Sequence, residues 1–314
     1  MENLIFSLNA TLPIFLTMLL GCFFRKIGLM DEAFTNKLNK FVFRVALPAL
    51  LFVDLSQADF LEVWNGKFVI YCAVTTIACI AVSIGISCLW KEKNIQGEFV
   101  QGAYRSSSAI LGIAFIQNIY GSSGMGPLMI IASVPIYNIM AVTVLAFLRP
   151  NRERFDGALI GKTLKGIVTN PIILGILAGV LVSACKIPFP KVLLKTVNNL
   201  GVLATPLGLM AMGAGFDVKK AFAKIKPAIT AAVMKLVGWC AIFLPLAIKL
   251  GFREQELVAI LVMLGSATTV SSYVMARNMG HEGVLSSSIV MLTTFFSAFT
   301  LTGWLCLMRS MGWI

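Results

Sequence analysis

The chain is dominated by apolar runs of about 20 residues, the length that a helix needs to cross the hydrocarbon core of a bilayer. Ten such runs follow one another, and the predicted spans are 4–24, 41–58, 68–90, 99–118, 125–148, 166–185, 196–216, 227–248, 257–276 and 284–308. Lipid offers the backbone no hydrogen-bond partners, so each run must be helical. Only 13% of the residues are charged, about half the share of a typical soluble domain. The sequence therefore predicts an all-α integral membrane protein with ten transmembrane helices.

Basic residues are distributed unevenly between the connections, which predicts the orientation of the chain. The connections after spans 1, 3, 5, 7 and 9 carry 16 Lys and Arg, whereas the other connections and the C-terminal segment carry seven. Because basic connections remain in the cytoplasm, both termini are predicted to lie outside the cell membrane. This distribution also accounts for the net charge of +12 without a nucleic-acid partner, and the lipid bilayer is the expected partner.

The two halves of the chain repeat at a nearly constant offset. Pro48 in span 2 matches Pro206 in span 7 at an offset of 158, and the glycines after span 4 match those after span 9 at 159. Each half, residues 1–150 and 151–314, holds five spans, and this odd number predicts that the second copy is inverted. Inverted repeats with a site at the bilayer midplane are typical of secondary transporters.

Each half contains one span with a polar interruption near its middle. In span 4 the candidate binding residues are Arg105, Ser106, Ser107 and Ser108. The repeat maps this stretch onto span 9, where the candidates are Ala267, Thr268, Thr269, Ser271 and Ser272. At about 1.5 Å per residue both interruptions lie close to the bilayer centre. The pair predicts a ligand site, and the alternative is that these hydroxyls only pack helices or bond their own backbone.

Other polar residues within or beside the spans add to the candidate site or lie outside it. Arg105 is about 10 Å deep, and it is expected either to contact an anion or a gate, or to extend back to the cytoplasmic interface. Lys235, in the middle of span 8, is predicted to attract substrate or to act as a fixed charge in a cation site. Asn138 reaches a similar depth from span 5. Asp54 is expected to be a solvated residue at the outer rim, and His281 a solvated loop residue.

Several patterns are absent from the sequence. There is no phosphate-binding loop, no His-Glu-x-x-His motif, no pair of carboxylates within the spans and no Cys-x-x-Cys spacing. We therefore expect no enzyme activity, no metal site and no cofactor. The scarcity of carboxylates in the spans favours an anionic substrate. It also favours uniport driven by the membrane potential, or Na⁺ held by carbonyls and hydroxyls, over an H⁺ relay through carboxylates.

Short motifs recur in order along the spans. They are Leu47-Pro48-Ala49, Pro135-x-Tyr137-Asn138, Asn170-Pro171-Ile172-Ile173-Leu174, Thr205-Pro206-Leu207-Gly208-Leu209 and Gly213-Ala214. Over essentially its whole length the chain resembles the auxin efflux carrier family, which includes bacterial malonate-type transporters. The chain departs from that family at the interruptions, where Ser107 and Ser271 replace asparagines and Ala114 and Ala267 replace prolines. The interruptions here thus depend on Gly, Ser and Thr.

The resemblance implies an inverted five-plus-five repeat similar to the bile-acid symporter and sodium–proton antiporter folds. Helices 1, 2, 6 and 7 would form a scaffold, usually dimeric, and helices 3–5 and 8–10 a transport domain that moves like an elevator. Broken helices 4 and 9 would cross at the substrate, an organic anion such as a carboxylate. The predicted function is a secondary active transporter or uniporter for such an anion. The alternative is a membrane sensor that binds a small ligand without moving it.

Overall fold

The computed structural model describes residues 2–57, 65–108, 113–121, 124–149 and 157–314. Every regular element within these ranges is a helix, which confirms the predicted all-α fold. The predicted boundary between the halves, residues 150 and 151, lies outside the described residues.

Seven α-helices are described in the first half of the chain. They are α1 (Glu2–Lys26), α2 (Glu32–Phe41), α3 (Leu47–Ser56), α4 (Gly66–Ser87), α5 (Gln96–Tyr104), α6 (Ile113–Tyr120) and α7 (Gly126–Phe147). A π-helical segment, Val42–Ala46, joins α2 to α3, and a short 3₁₀ helix, Lys93–Ile95, precedes α5.

Ten α-helices are described in the second half. They are α8 (Gly157–Val168), α9 (Pro171–Ala184), α10 (Lys191–Gly201), α11 (Ala204–Ala214), α12 (Val218–Ala223), α13 (Ile225–Val233), α14 (Trp239–Lys249), α15 (Glu254–Gly265), α16 (Ser271–Asn278) and α17 (Val284–Ser310). A second π-helical segment, Met234–Gly238, joins α13 to α14.

Local sequence sets several of the helix starts. The Asp31 carboxylate accepts a hydrogen bond from the Phe34 amide at 2.6 Å, and the Asn65 side chain accepts one from the Phe68 amide at 3.1 Å. Such bonds satisfy amides that the first turn of a helix leaves without partners. α9 begins with the same device, an asparagine cap followed by a proline in the first turn.

Five helices among the described residues have the length and apolar composition needed to cross a membrane. They cover Gly66–Ser87, Gly126–Phe147, Lys191–Ala214, Ile225–Lys249 and Val284–Ser310, and the shorter helix Pro171–Ala184 is also apolar. On α4 one stripe is exposed and apolar, with Ile70, Val74 and Ile77 at 65%, 59% and 55% exposure. A stripe of this kind on such a helix suits contact with lipid. The count of ten spans stays a prediction.

Close helix pairs reproduce the offset seen in the sequence. α1 packs on α11, and α3 packs on α9. A Cβ atom at Gly21 would lie 2.2 Å from the Met210 carbonyl oxygen, and one at Gly179 would lie 2.8 Å from that of Phe52. Both partners of the second contact are offset from those of the first by 158 residues. Two copies related by a two-fold axis would produce such a correspondence, because each contact then occurs twice.

α15 lies at the centre of the molecule, and every residue from Leu257 to Gly265 is buried. The loop after α16 is also packed inside. His281 is only 3% exposed, and its Nε2 atom lies 2.9 Å from the Leu145 carbonyl oxygen. The expectation that His281 is a solvated loop residue is therefore wrong, because the loop folds between the end of α7 and the start of α5, where the ring lies against Gly97.

Candidate functional site

Both polar interruptions break a helix. α5 ends at Tyr104, and Arg105 has an extended backbone with φ −69° and ψ 137°. α15 ends at Gly265, and Ser266 is likewise extended with φ −73° and ψ 161° before α16 begins. Neither break in this chain contains a proline, so hydrogen-bond partners elsewhere must hold the freed backbone.

The two breaks meet and bond one another. The Ser107 amide donates a hydrogen bond to the Ala267 carbonyl oxygen at 2.9 Å. The Thr268 hydroxyl donates in the opposite direction to the Gly102 carbonyl oxygen at 2.8 Å, and the Thr268 amide donates to Thr293 at 3.0 Å. The first break thus bonds the second directly, and the second break also bonds the last turn of α5.

Side chains from neighbouring helices cap the carbonyls left at the two helix ends. On α5, the Ala103 carbonyl oxygen accepts from the Trp239 indole at 2.7 Å. On α15, the Met263 carbonyl oxygen accepts from the Ser106 hydroxyl and, at 3.2 Å, from the Tyr137 hydroxyl. A helix end buried in a protein needs such donors, since its last four carbonyls have no partners within the helix. These contacts explain how the breaks persist without proline.

Lys235 caps another carbonyl near the end of α15. Its side chain is fully buried, and its ammonium group donates to the Leu264 carbonyl oxygen. It extends from the π-helical segment between α13 and α14, four residues before Trp239, so one stretch of helix caps both broken helices. The negative end of the α15 dipole faces this cation. The two roles predicted for Lys235, attracting substrate and acting as a fixed charge in a cation site, stay predictions.

A cavity opens beside the breaks and includes about 620 Å³ of space between atoms, counted with its open side. Its walls come from α3, the first break, α7, α11 and the second break. The polar lining consists of Asp54, Arg105, Ser106, Ser107, Tyr137, Asn138, Thr205, Thr269 and Ser271. A cavity in which polar groups converge beside apolar wall residues is the usual form of a small-molecule site.

Arg105 turns inward toward this cavity and is only 2% exposed, so its guanidinium does not extend to the interface. Its Nη2 atom donates to the Asn138 side-chain oxygen and to the Ser271 hydroxyl, each at 2.8 Å. Asn138 in turn donates to the Val134 carbonyl oxygen at 2.9 Å, which orients its oxygen toward the guanidinium. Among the described residues, no carboxylate lies within ion-pair distance of Arg105. Its positive charge is therefore available to an anion.

Asp54 lines the same cavity, which sequence reasoning missed. The sequence predicts it at a solvated rim, but it is half-buried on the cavity wall at the end of the stripe formed by Leu47, Leu50 and Leu51. Residues spaced by three, four and seven positions share one face of a helix. That spacing was the one signal that could have placed Asp54 with its leucine neighbours. The direction in which this face turns was not readable from the sequence, because apolar residues also lie on the other sides of α3.

The structure divides the predicted site residues into two groups. Those on the cavity wall are Arg105, Ser106, Ser107, Asn138, Thr269 and Ser271. Those away from it are Ser108, Lys235, Ala267, Thr268 and Ser272. In the second group, Thr268 and Ala267 join the breaks, and Ser272 donates to the Thr269 carbonyl oxygen at 2.7 Å, in its own segment. The Ser272 hydroxyl therefore bonds local backbone, which is the alternative to ligand binding given above for these hydroxyls.

No cluster of three or more metal-binding side chains occurs in the part of the chain that the structure describes. All seven cysteines are free.

The family model described as "Membrane transport protein" matches residues 6–305. An uncharacterized transporter of Methanocaldococcus jannaschii is 21% identical over 313 residues, which is 98% of each chain. A protein of Rhizobium meliloti named "Putative malonate transporter" is 25% identical over 87% of each chain. The uncharacterized transporter YfdV of Escherichia coli is 27% identical over 70% of this chain and 74% of its own length.

Proposed function

Because the chain belongs to the membrane transport protein family, we propose that it moves a small organic anion across the membrane. As a member of this transporter family it is a multi-pass membrane protein. This membership confirms the resemblance to the auxin efflux carrier family. The substrate that we propose carries a carboxylate, and the route is secondary active transport or uniport.

The observation that carries this proposal is the charge of Arg105 on the cavity wall, which forms no ion pair with any carboxylate among the described residues. Its two oxygen partners, Asn138 and Ser271, are neutral, and its Nε atom has no partner among the described residues. A planar guanidinium matches the two oxygens of a carboxylate and forms shorter, stronger hydrogen bonds with it than neutral donors do. A carboxylate in the cavity would supply the missing negative charge. The name of the Rhizobium meliloti relative is compatible with a substrate of this class.

The composition of the cavity walls supports an elevator-type mechanism. α3 and α11 correspond to spans 2 and 7, which the resemblance assigns to a fixed scaffold. The two breaks and α7 correspond to spans 4, 9 and 5, which it assigns to a moving domain. A ligand held between the two groups would change sides when one slides past the other. We propose the inverted repeat, a homodimer formed through helices 1, 2, 6 and 7, and a cell-membrane location with both termini outside as parts of this mechanism.

Flux through purified protein in liposomes tests the proposal. The liposomes contain unlabelled anion, and radiolabelled malonate or its monoamide is supplied outside, so that uptake of label measures counterflow. The Na⁺ gradient, the H⁺ gradient and the membrane potential are varied one at a time. We expect counterflow in the wild type and its loss in Arg105→Ala. The exposed residue Arg309, in the last turn of α17, provides the control variant Arg309→Ala, which should transport normally.

The same assay separates transport from sensing. Ligand binding measured by thermal shift, together with no counterflow, would favour the membrane sensor. Equal flux in Arg105→Ala and the wild type would remove the electrostatic basis of the proposal.

A further inference from the structure

The cavity contains one acidic residue whose role the proposed function leaves unexplained. Asp54 lines the wall built by α3, and neither a hydrogen bond nor an ion pair to its carboxylate occurs among the described residues. An ionised carboxylate only accepts hydrogen bonds, and a half-buried one without donors is costly. Its presence in a site that would receive an anion needs a physical reason.

The cavity lining has two formal charges of opposite sign. Arg105 is on one wall and Asp54 on another, and the remaining lining residues are neutral. The two side chains are not close enough to form an ion pair. The cavity as a whole is therefore dipolar and not net positive. A dianion placed in it would satisfy Arg105 but would bring its second negative charge toward Asp54.

The geometry of α3 keeps the acid apart from the apolar part of its wall. Asp54 follows Leu47 by seven residues on the same helix face, about 10 Å along the axis at 1.5 Å per residue. Leu50 and Leu51 lie between them on that face. The α3 wall thus offers an apolar stretch with an acceptor at its end, while the first break offers a cation to the same cavity.

We propose that Asp54 makes the cavity select an anion with one carboxylate and a hydrogen-bond donor, such as an amide or ammonium group, at its other end. This inference rests on the proposed function and specifies its substrate class. The carboxylate of the substrate faces Arg105, and the donor faces Asp54. A site built to hydrogen-bond a particular group discriminates strongly against analogues without it, because its own buried polar group is then left unpaired. Dianions of equal size are rejected by like-charge repulsion.

Three probes of the same carbon count test this selectivity at neutral pH. Malonate has two charges, malonamate has one charge and an amide donor, and propionate has one charge and an apolar end. Competition for flux in liposomes, and ligand-induced thermal shift in detergent, give the preference of each protein for the three anions. In the wild type we expect malonamate to be preferred over both others by at least tenfold.

Variants of Asp54 identify the group responsible. In Asp54→Asn the preference for malonamate over malonate should fall at least tenfold, because the repulsion is removed and an amide can donate to the second carboxylate. Asp54→Glu should keep the wild-type order. The matched control is Glu92→Gln, which removes one negative charge from an exposed position outside the cavity and should leave the ratios unchanged.

Each outcome decides the inference. A wild type that accepts malonate as well as malonamate overturns it even if no variant folds. An Asp54→Asn protein whose preference ratios for the three anions stay within twofold of the wild type overturns it as well. Anion flux in both proteins would in that case leave the proposed function intact. Absence of flux and of binding for all three probes in the wild type contradicts the proposed function itself.

Discussion

Arg105 and Lys235, two cations that are buried among the described residues, differ in what surrounds them. Both are almost fully buried, and each lies beside one of the two breaks. The guanidinium of Arg105 is held by three neutral side chains, Asn138, Ser271 and Met275, and faces a cavity. The ammonium of Lys235 bonds a backbone carbonyl at the end of α15 and does not line that cavity. A cation in a membrane span is thus not a binding residue by its depth alone, because its partners decide whether its charge is available to a ligand.

Replacing each cation by glutamine, a shorter neutral donor, tests this contrast most directly. Arg105→Gln should lower anion flux about 100-fold, since a charge-assisted interaction of about 2.7 kcal/mol is lost. The thermal midpoint in detergent should change little, because glutamine can still reach polar neighbours. Flux in liposomes and thermal unfolding are measured on the same preparation. A thermal midpoint of Arg105→Gln far below that of the wild type would show that the loss of flux reflects loss of stability. Arg105 would then be a structural residue, and the contrast with Lys235 would disappear.

The partner that orients Arg105 should have the next largest effect. Asn138→Leu removes the oxygen that accepts from the guanidinium, and we expect KM for the transported anion to rise about tenfold, equivalent to about 1.4 kcal/mol. Thr143→Val is the control, because Thr143 is only half-buried on the same helix and bonds only its own turn. Concentration series of initial flux give KM, and an unchanged KM would mean that Asn138 does not position the cation.

Trp239, the neutral side chain that caps the end of α5, should affect the stability of the protein and not anion binding. Trp239→Phe removes the indole donor to the Ala103 carbonyl oxygen, which should cost about 1 kcal/mol of stability. In Trp90→Phe the lost indole NH has no partner among the described residues, so no such cost is expected. Thermal midpoints of the two variants give the difference, and equal midpoints would contradict the capping role.

Lys235→Gln should have the smallest effect of the series. Glutamine can still donate to the Leu264 carbonyl oxygen, while the desolvation penalty of a buried ammonium is removed. We expect flux within about threefold of the wild type, because only a screened, long-range contribution to anion attraction is lost. A loss of tenfold or more in a variant with a normal thermal midpoint would make Lys235 part of the binding machinery.

Much of this architecture could be predicted from the residues. Apolar runs gave the helices, and the interruption at Arg105 together with its partner near Thr268 gave the two breaks that the structure brings into contact. These features are local, since a bilayer forces backbone bonds to be made within each span. The hydroxyls were harder to assign, because Ser272 bonds its own segment while Thr268 bonds the opposite break.

The sequence by itself determined that the chain is a bundle of membrane helices with two polar breaks, one of them containing a cation. Only the tertiary structure decided which side chains face the cavity: it brought Asp54 in and left Lys235 out. The physical reason is that membrane helices are apolar on all sides, so their hydrophobic pattern does not report how each is rotated against its neighbours. That rotation is set by close packing, such as the contact of Gly21 with Met210, between residues far apart in the chain.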